Sequence, residues 1–268
     1  MPLDQPVRPT PGGYEIHCGP TRTSGTLGAT VLWEGLRIGI TNAHILPFKG
    51  EAVFQPNCLT HRYARKIGNV EGVSAGRLYP NEQAYFADVE NREDALYDFA
   101  YFQALPAETS TRIAGGIYDG PWGLLHGWLG IDPVPLQLRE PKLGEEVRWI
   151  GKATAAVRTG RIVDLDHWGF IQRTRDPDRF VGMAGMIRME PLGGPSQAGD
   201  SGAALVATTD QRIVGLYCGA TADEKFDLGS KIPANAFELG SSTPVSQELA
   251  RERYEKYRTK PKEQQVLR

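Results

Sequence analysis

Gln197-Ala198-Gly199-Asp200-Ser201-Gly202-Ala203 is the stretch that decides how this chain is read. A Gly-Asp-Ser-Gly turn exposes one hydroxyl and aims backbone N–H groups at the same point in space. A serine nucleophile beside an oxyanion hole needs that arrangement. Four residues alone also describe many surface turns. The run gains weight from two upstream segments, Thr41-Asn42-Ala43-His44 and Asp98-Phe99-Ala100, which complete the order His, Asp, Ser. A hydroxyl is a poor nucleophile at neutral pH unless a histidine takes its proton. A buried carboxylate must then fix the tautomer of that histidine and stabilise its imidazolium.

Each role has a candidate. Ser201 is the nucleophile, and its own N–H with that of Gly199 would form the oxyanion hole. Gly199 suits the unusual backbone that points an N–H inward. His44 is the general base, and Asp98 orients it. Glu93 and Asp94 compete for the orienting role, but Asp94-Ala95 lacks the apolar residue that follows Asp98. His44 and Asp98 fall in one half of the chain and Ser201 in the other, so the site is expected in the cleft between halves.

Composition narrows the field. The chain has 268 residues, with 30 basic side chains against 32 acidic ones and a net charge of -2. So near a balance argues against nucleic acid as a partner. The 31 glycines and 19 prolines favour short strands and many turns over long helices. Three cysteines, Cys18, Cys58 and Cys218, are too few and too odd for a disulfide framework, and they fit a reducing compartment. The N-terminus has no basic region followed by an apolar one, and no stretch is apolar enough for a membrane span. The expectation is a cytoplasmic protein with no membrane contact.

Along the chain, prolines at 2, 6, 9 and 11 make residues 1–21 an extended arm. Residues 22–105 read as a first β-rich unit. Within it Thr26–Leu32, the turn Trp33-Glu34-Gly35 and Leu36–Thr41 form a hairpin that delivers His44 at its end. Residues 106–140, rich in Gly and Pro and carrying Trp122, His126 and Trp128, read as a linker with an insertion. A second β-rich unit follows at 141–240. Residues 241–268 read as a terminal helix with a basic tail.

The ordered set resembles the chymotrypsin-like (trypsin-like) serine peptidases, closest in motif style to the bacterial members. Ser24–Val31 ahead of Thr41–Leu46 is similar to their first-barrel hairpin. Asp98-Phe99-Ala100-Tyr101-Phe102 is similar to their Asp-apolar-Ala strand. Leu143–Gly151 with Thr159–Val163 resembles the opening of their second barrel, and Val214–Tyr217 the strand lining the specificity pocket. The resemblance covers residues 22–235. It implies an all-β fold of two six-stranded Greek-key barrels, here with a C-terminal helix, and a serine endopeptidase acting on polypeptides through an acyl-enzyme, with no cofactor.

There are departures. Ala203 stands where digestive relatives have glycine. Arg112-Ile113-Ala114-Gly115-Gly116 mimics the activation sequence of those relatives but lies between Asp98 and Ser201, so cutting there would not create their barrel start. Asp200 therefore needs a partner other than a freshly cut N-terminus. In the family, the residue six before the serine lies at the base of the P1 pocket, and here it is Pro195. Ser196, Cys218, Gly219 and Ala220 are the expected walls, and a small or neutral P1 residue is expected.

His17-Cys18 and Cys58-x-x-His61 hint at zinc, but adjacent ligands chelate one ion poorly and nothing completes the set, so no metal is expected. Gly144 through Lys152 lacks the spacing and the hydroxyl residue of a phosphate loop. The competing function is a latent or inactive peptidase-fold scaffold, gated by a regulatory protein partner or by the 104–140 insertion.

Overall fold

The computed structural model describes residues 2–19, 24–80, 82–89, 97–118, 133, 135–172, 180–221, 223–233 and 236–238. In chain order the elements are β1 (Thr10–Gly12), β2 (Glu15–Cys18), β3 (Ser24–Thr26), β4 (Ala29–Trp33), β5 (Leu36–Thr41), β6 (Ala52–Gln55), β7 (Arg65–Ser74) and β8 (Arg77–Tyr79). Helix α1 (Glu82–Val89) precedes β9 (Phe99–Ala104), β10 (Thr109–Ile113), β11 (Glu146–Trp149), β12 (Arg158–Gln172) and β13 (Phe180–Pro191). β14 (Ala204–Ala207), β15 (Ile213–Ala220), β16 (Asp227–Ser230) and the 3₁₀ turn Ala236–Glu238 complete the set. The expected C-terminal helix and basic tail lie outside the described residues, as do Trp122, His126 and Trp128.

Two sheets carry the fold, and it is nearly all β as expected. The first sheet has the order β3-β2-β6-β7-β9-β5-β4 and forms a half-barrel. The second has the order β12-β11-β14-β15-β16-β13, and pairing of β12 with β13 closes it into a six-stranded barrel. Ile16, Leu27, Val53, Ile67 and Phe102 fill the first sheet's interior. Val147, Trp149, Ile162, Ile187 and Leu205 fill the second. A third cluster, including Val31, Ile38, Phe99, Ile113, Val206, Ile213 and Leu216, draws on both sheets and glues them together. Burial of such aliphatic and aromatic side chains is worth ~1.5–3 kcal/mol each.

Within the stretch that the prolines marked as an arm, Thr10–Gly12 and Glu15–Cys18 are strands. β1 pairs in parallel with β10 through Thr10 and Gly12, so the missing N–H of Pro11 falls between paired residues. β2 sits inside the first sheet between β3 and β6.

The local geometry explains how the site is assembled. Glu34 and Gly35 both have positive φ, 48° and 80°, and turn β4 into β5 with Trp33 facing Leu36. Two positive φ values in a two-residue loop are the signature of a turn whose twist matches the strands. β5 then pairs antiparallel with β9, Thr41 opposite Ala100. That register sets the residues after β5, ending in His44, beside the residue before β9, which is Asp98. Ser201 lies in the turn entering β14, and β14 pairs with β15.

One segment of the first half crosses over. β8 adds to the outer edge of β13, beyond the barrel. Tyr85 of α1 fastens it: the Tyr85 hydroxyl donates to the carbonyls of Met183 at 2.7 Å and Gly169 at 3.1 Å. Its ring meets Tyr79 edge-on at 5.2 Å.

Candidate active site

Asp98 is buried and held from every side. Its amide donates to Ser230 Oγ at 2.9 Å, and its carbonyl accepts from Asn42 Nδ2 at 2.8 Å. The carboxylate accepts the His44 backbone N–H on Oδ1 at 3.0 Å and faces His44 Nδ1 with Oδ2 at 2.6 Å. The acceptor is therefore fixed before the ring arrives. A carboxylate on Nδ1 keeps the proton there, so the neutral ring presents Nε2 as an acceptor. The His44 side chain is 25% exposed against 4% for Asp98, so a reactant reaches the ring and not the carboxylate. The rivals Glu93 and Asp94 lie outside the described residues.

The Ser201 hydroxyl donates to the Cys218 carbonyl at 3.3 Å. Cys218 belongs to β15, and its thiol turns the other way, donating to the Leu228 carbonyl at 3.3 Å. Burial pushes that thiol well above the usual range, and the nearby Asp98 charge adds to it. Cys218 thus bonds Ser201 through its carbonyl, while its thiol feels the Asp98 charge. His44 and Asp98 meet directly; Ser201 is tied to their sheet through Thr26, whose N–H donates to the Ser201 carbonyl.

The turn carrying Ser201 is fixed on both flanks. Thr26 N–H donates to the Ser201 carbonyl at 2.8 Å, and Gly202 N–H to the Tyr217 carbonyl at 2.8 Å. Gly202 has φ +97°, and a Cβ there would collide with Thr41 Oγ1 and the Thr26 carbonyl, so no side chain fits. Gly199 has φ +110°, a conformation L side chains avoid. Asp200 is fully buried. Its carboxylate accepts N–H bonds from Ala153 at 3.0 Å, Thr154 at 2.9 Å and Gln197 at 2.9 Å, together with the Thr154 hydroxyl. Asp200 thus finds three of its four donors in the loop after β11 and the fourth, Gln197, in its own turn. Arg112 and Ile113 lie in β10, with Ile113 buried and its N–H donating to the Tyr118 carbonyl at 2.9 Å. The bonds that hold the turn do not involve the amides of Gly199 and Ser201.

No family model matches the sequence, and no curated protein matches it. Solved structures do. A glutamic-acid-specific serine protease that uses a histidine triad in substrate binding aligns with 82% of this chain and 92% of its own, at 14% identity and a TM-score of 0.52. Thermobifida fusca protease A aligns over 85% and 94%, at 17% identity and 0.51. Cellulomonas bogoriensis chymotrypsin aligns over 87% and 98%, at 16% identity and 0.50. The fold is that of the chymotrypsin-like serine proteases.

Of the expected pocket residues, Pro195 is exposed, Gly219 is half-buried and Ala220 is exposed at the end of β15. The Ser196 hydroxyl is enclosed, within reach of the Tyr217 hydroxyl and the Asp227 carboxylate but not aligned for a full hydrogen bond. Asp227 faces Ala220 across β15 and β16 and is buried. Burial raises its pKa, against hydrogen bonding from Tyr217 and the charge of Arg158. Asp227, Ser230 and Thr154 lie outside the motifs of the sequence, whereas Thr26 and Tyr217 fall inside two of them, Ser24–Val31 and Val214–Tyr217, with no role of their own assigned. His17 and Cys58, weighed as zinc ligands, pair with each other, Cys58 Sγ lying 3.2 Å from His17 Nδ1.

Proposed function

We propose that the protein is a serine endopeptidase, with Ser201 as nucleophile, His44 as general base and Asp98 as the group that orients it. The observation that carries this reading is the 2.6 Å contact between His44 Nδ1 and the carboxylate of Asp98, a residue whose backbone is clamped at both its N–H and its carbonyl. The motif style is that of the bacterial peptidases.

In the proposed cycle the Ser201 hydroxyl swings from the Cys218 carbonyl to His44 Nε2. Oγ attacks the substrate carbonyl carbon and its proton passes to Nε2. The oxyanion meets the N–H groups of Gly199 and Ser201, each donor being worth ~3 kcal/mol of barrier. The imidazolium protonates the leaving amine, the C–N bond breaks, and an ester on Ser201 remains. Water, deprotonated by His44, attacks that ester, releasing the carboxylate and returning a proton to Oγ.

The bond from Ser201 to Cys218 favours the second reading, a resting or scaffold form. Its weight is small. A neutral hydrogen bond contributes ~1 kcal/mol net, and 3.3 Å is beyond the best range. The substrate is a polypeptide, and its P1 residue is small or neutral, because Pro195 offers no charge and Asp227 is engaged by Tyr217. Profiling cleavage of a peptide library by wild type and Ser201→Ala tests this. Cleavage that depends on Ser201 and clusters at small or neutral P1 residues is expected. Equal cleavage by both proteins contradicts the assignment.

A further inference from the structure

Thr26 belongs to β3 of the first sheet, yet every one of its polar backbone and side-chain atoms is engaged at the junction with the nucleophile turn. Its N–H donates to the Ser201 carbonyl at 2.8 Å. Its hydroxyl donates to the Gly199 carbonyl at 2.9 Å and accepts the Lys152 N–H at 3.1 Å. Its carbonyl accepts the Thr41 hydroxyl at 2.7 Å, three residues before His44. Thr26 is fully buried, so no water competes for these bonds.

The side chain of Lys152 continues the link. Its ammonium returns to the first sheet, 2.5 Å from Glu15 Oε1 and 2.5 Å from Ser24 Oγ. On the way it packs against Gly199, with Cε 3.0 Å from where a Cβ on that glycine would stand. A glycine backbone is soft. The peptide unit from Gly199 to Asp200 lies between the two amides that would bind the oxyanion. Its carbonyl is the atom the Thr26 hydroxyl holds.

We infer that Thr26 is a positioning residue for catalysis, whose hydroxyl sets the relative orientation of the Gly199 and Ser201 amides from the opposite sheet. The inference rests on the serine-peptidase reading above. It places part of the oxyanion geometry under the control of the contact between the two halves, so that a shift of one against the other detunes the turn. No bond is made or broken at Thr26 itself.

The test is Thr26→Val beside Thr26→Ser, in the full chain, with active sites counted by stoichiometric fluorophosphonate titration and rates expressed per titrated site. A misplaced donor set costs ~10- to 100-fold in rate. The expected result is a fall of that size in kcat per site for Thr26→Val, with KM unchanged, and recovery to within about threefold in Thr26→Ser. A purely structural role would lower the number of titrated sites and leave kcat per site at the wild-type value. That result overturns the inference while the peptidase reading stands. Wild type that neither titrates nor cleaves peptide overturns both.

Discussion

Thr154→Val should loosen the nucleophile turn by an amount that follows from its contacts. Asp200 is fully buried and carries its charge among three N–H groups and one hydroxyl. Valine keeps the shape and β-branching of threonine and the Thr154 N–H bond, and removes only the hydroxyl. A hydrogen bond to a charged group contributes ~1.5–3 kcal/mol, and the Asp200 carboxylate that accepts this one is buried. The expected loss is ~2 kcal/mol in urea unfolding, about 30-fold in the unfolding equilibrium. Thr208→Val supplies the control, because the Thr208 hydroxyl donates to the Glu146 carbonyl at 3.2 Å on an exposed surface. Such a change should stay within ~0.5 kcal/mol. Thr154→Ser should recover most of the lost stability. If Thr154→Val and Thr208→Val unfold alike, the Thr154 hydroxyl does not hold Asp200 and the account of the turn is wrong.

Asp98→Asn keeps an acceptor for the His44 N–H but sets an amide against Nδ1, which favours the wrong tautomer; kcat should fall ~10⁴-fold with the fold intact by circular dichroism. Lys152→Met leaves the buried Glu15 carboxylate without its cation and should cost ~3–5 kcal/mol in denaturant, part of which returns when Glu15→Gln is added. Asp227 has a raised pKa, so its contribution to stability is fully present below the unfolded value near 3.8 and is lost as pH rises through the higher folded value. Asp227→Asn should therefore gain on wild type between about pH 4 and neutral, a trend read from unfolding curves at several pH values; a constant difference would count against it.

The parts legible in the sequence are those with short-range physics. The β4–β5 hairpin follows from Glu34-Gly35 between apolar strands, and it delivers His44 where the turn and strand length say it must. Asp98 follows from its place immediately before β9. Ser201 follows from glycines on both sides, one with no room for a Cβ and one at positive φ. The illegible parts are long-range. Asp200 is satisfied by the Thr154 loop 46 residues away, and Gly199 is held by Thr26 173 residues away. Nothing local in either segment encodes such a partner. β8 and α1 have no pattern that predicts docking on the β12–β13 hairpin, since Tyr85 anchors there through carbonyls. The prolines before residue 12 argued for an extended arm; the segment holds turns and bends before the short strand Thr10–Gly12, whose parallel pairing with β10 brings it into the fold.

The central claim is that Ser201 is activated by His44. The most direct measurement is fluorophosphonate labelling of the intact protein followed by peptide mapping, run on wild type, Ser201→Ala and His44→Ala. The account predicts a single adduct on Ser201 in wild type, none in Ser201→Ala, and labelling at least ~100-fold slower in His44→Ala. Labelling at another serine, or a His44→Ala rate equal to wild type, would contradict it.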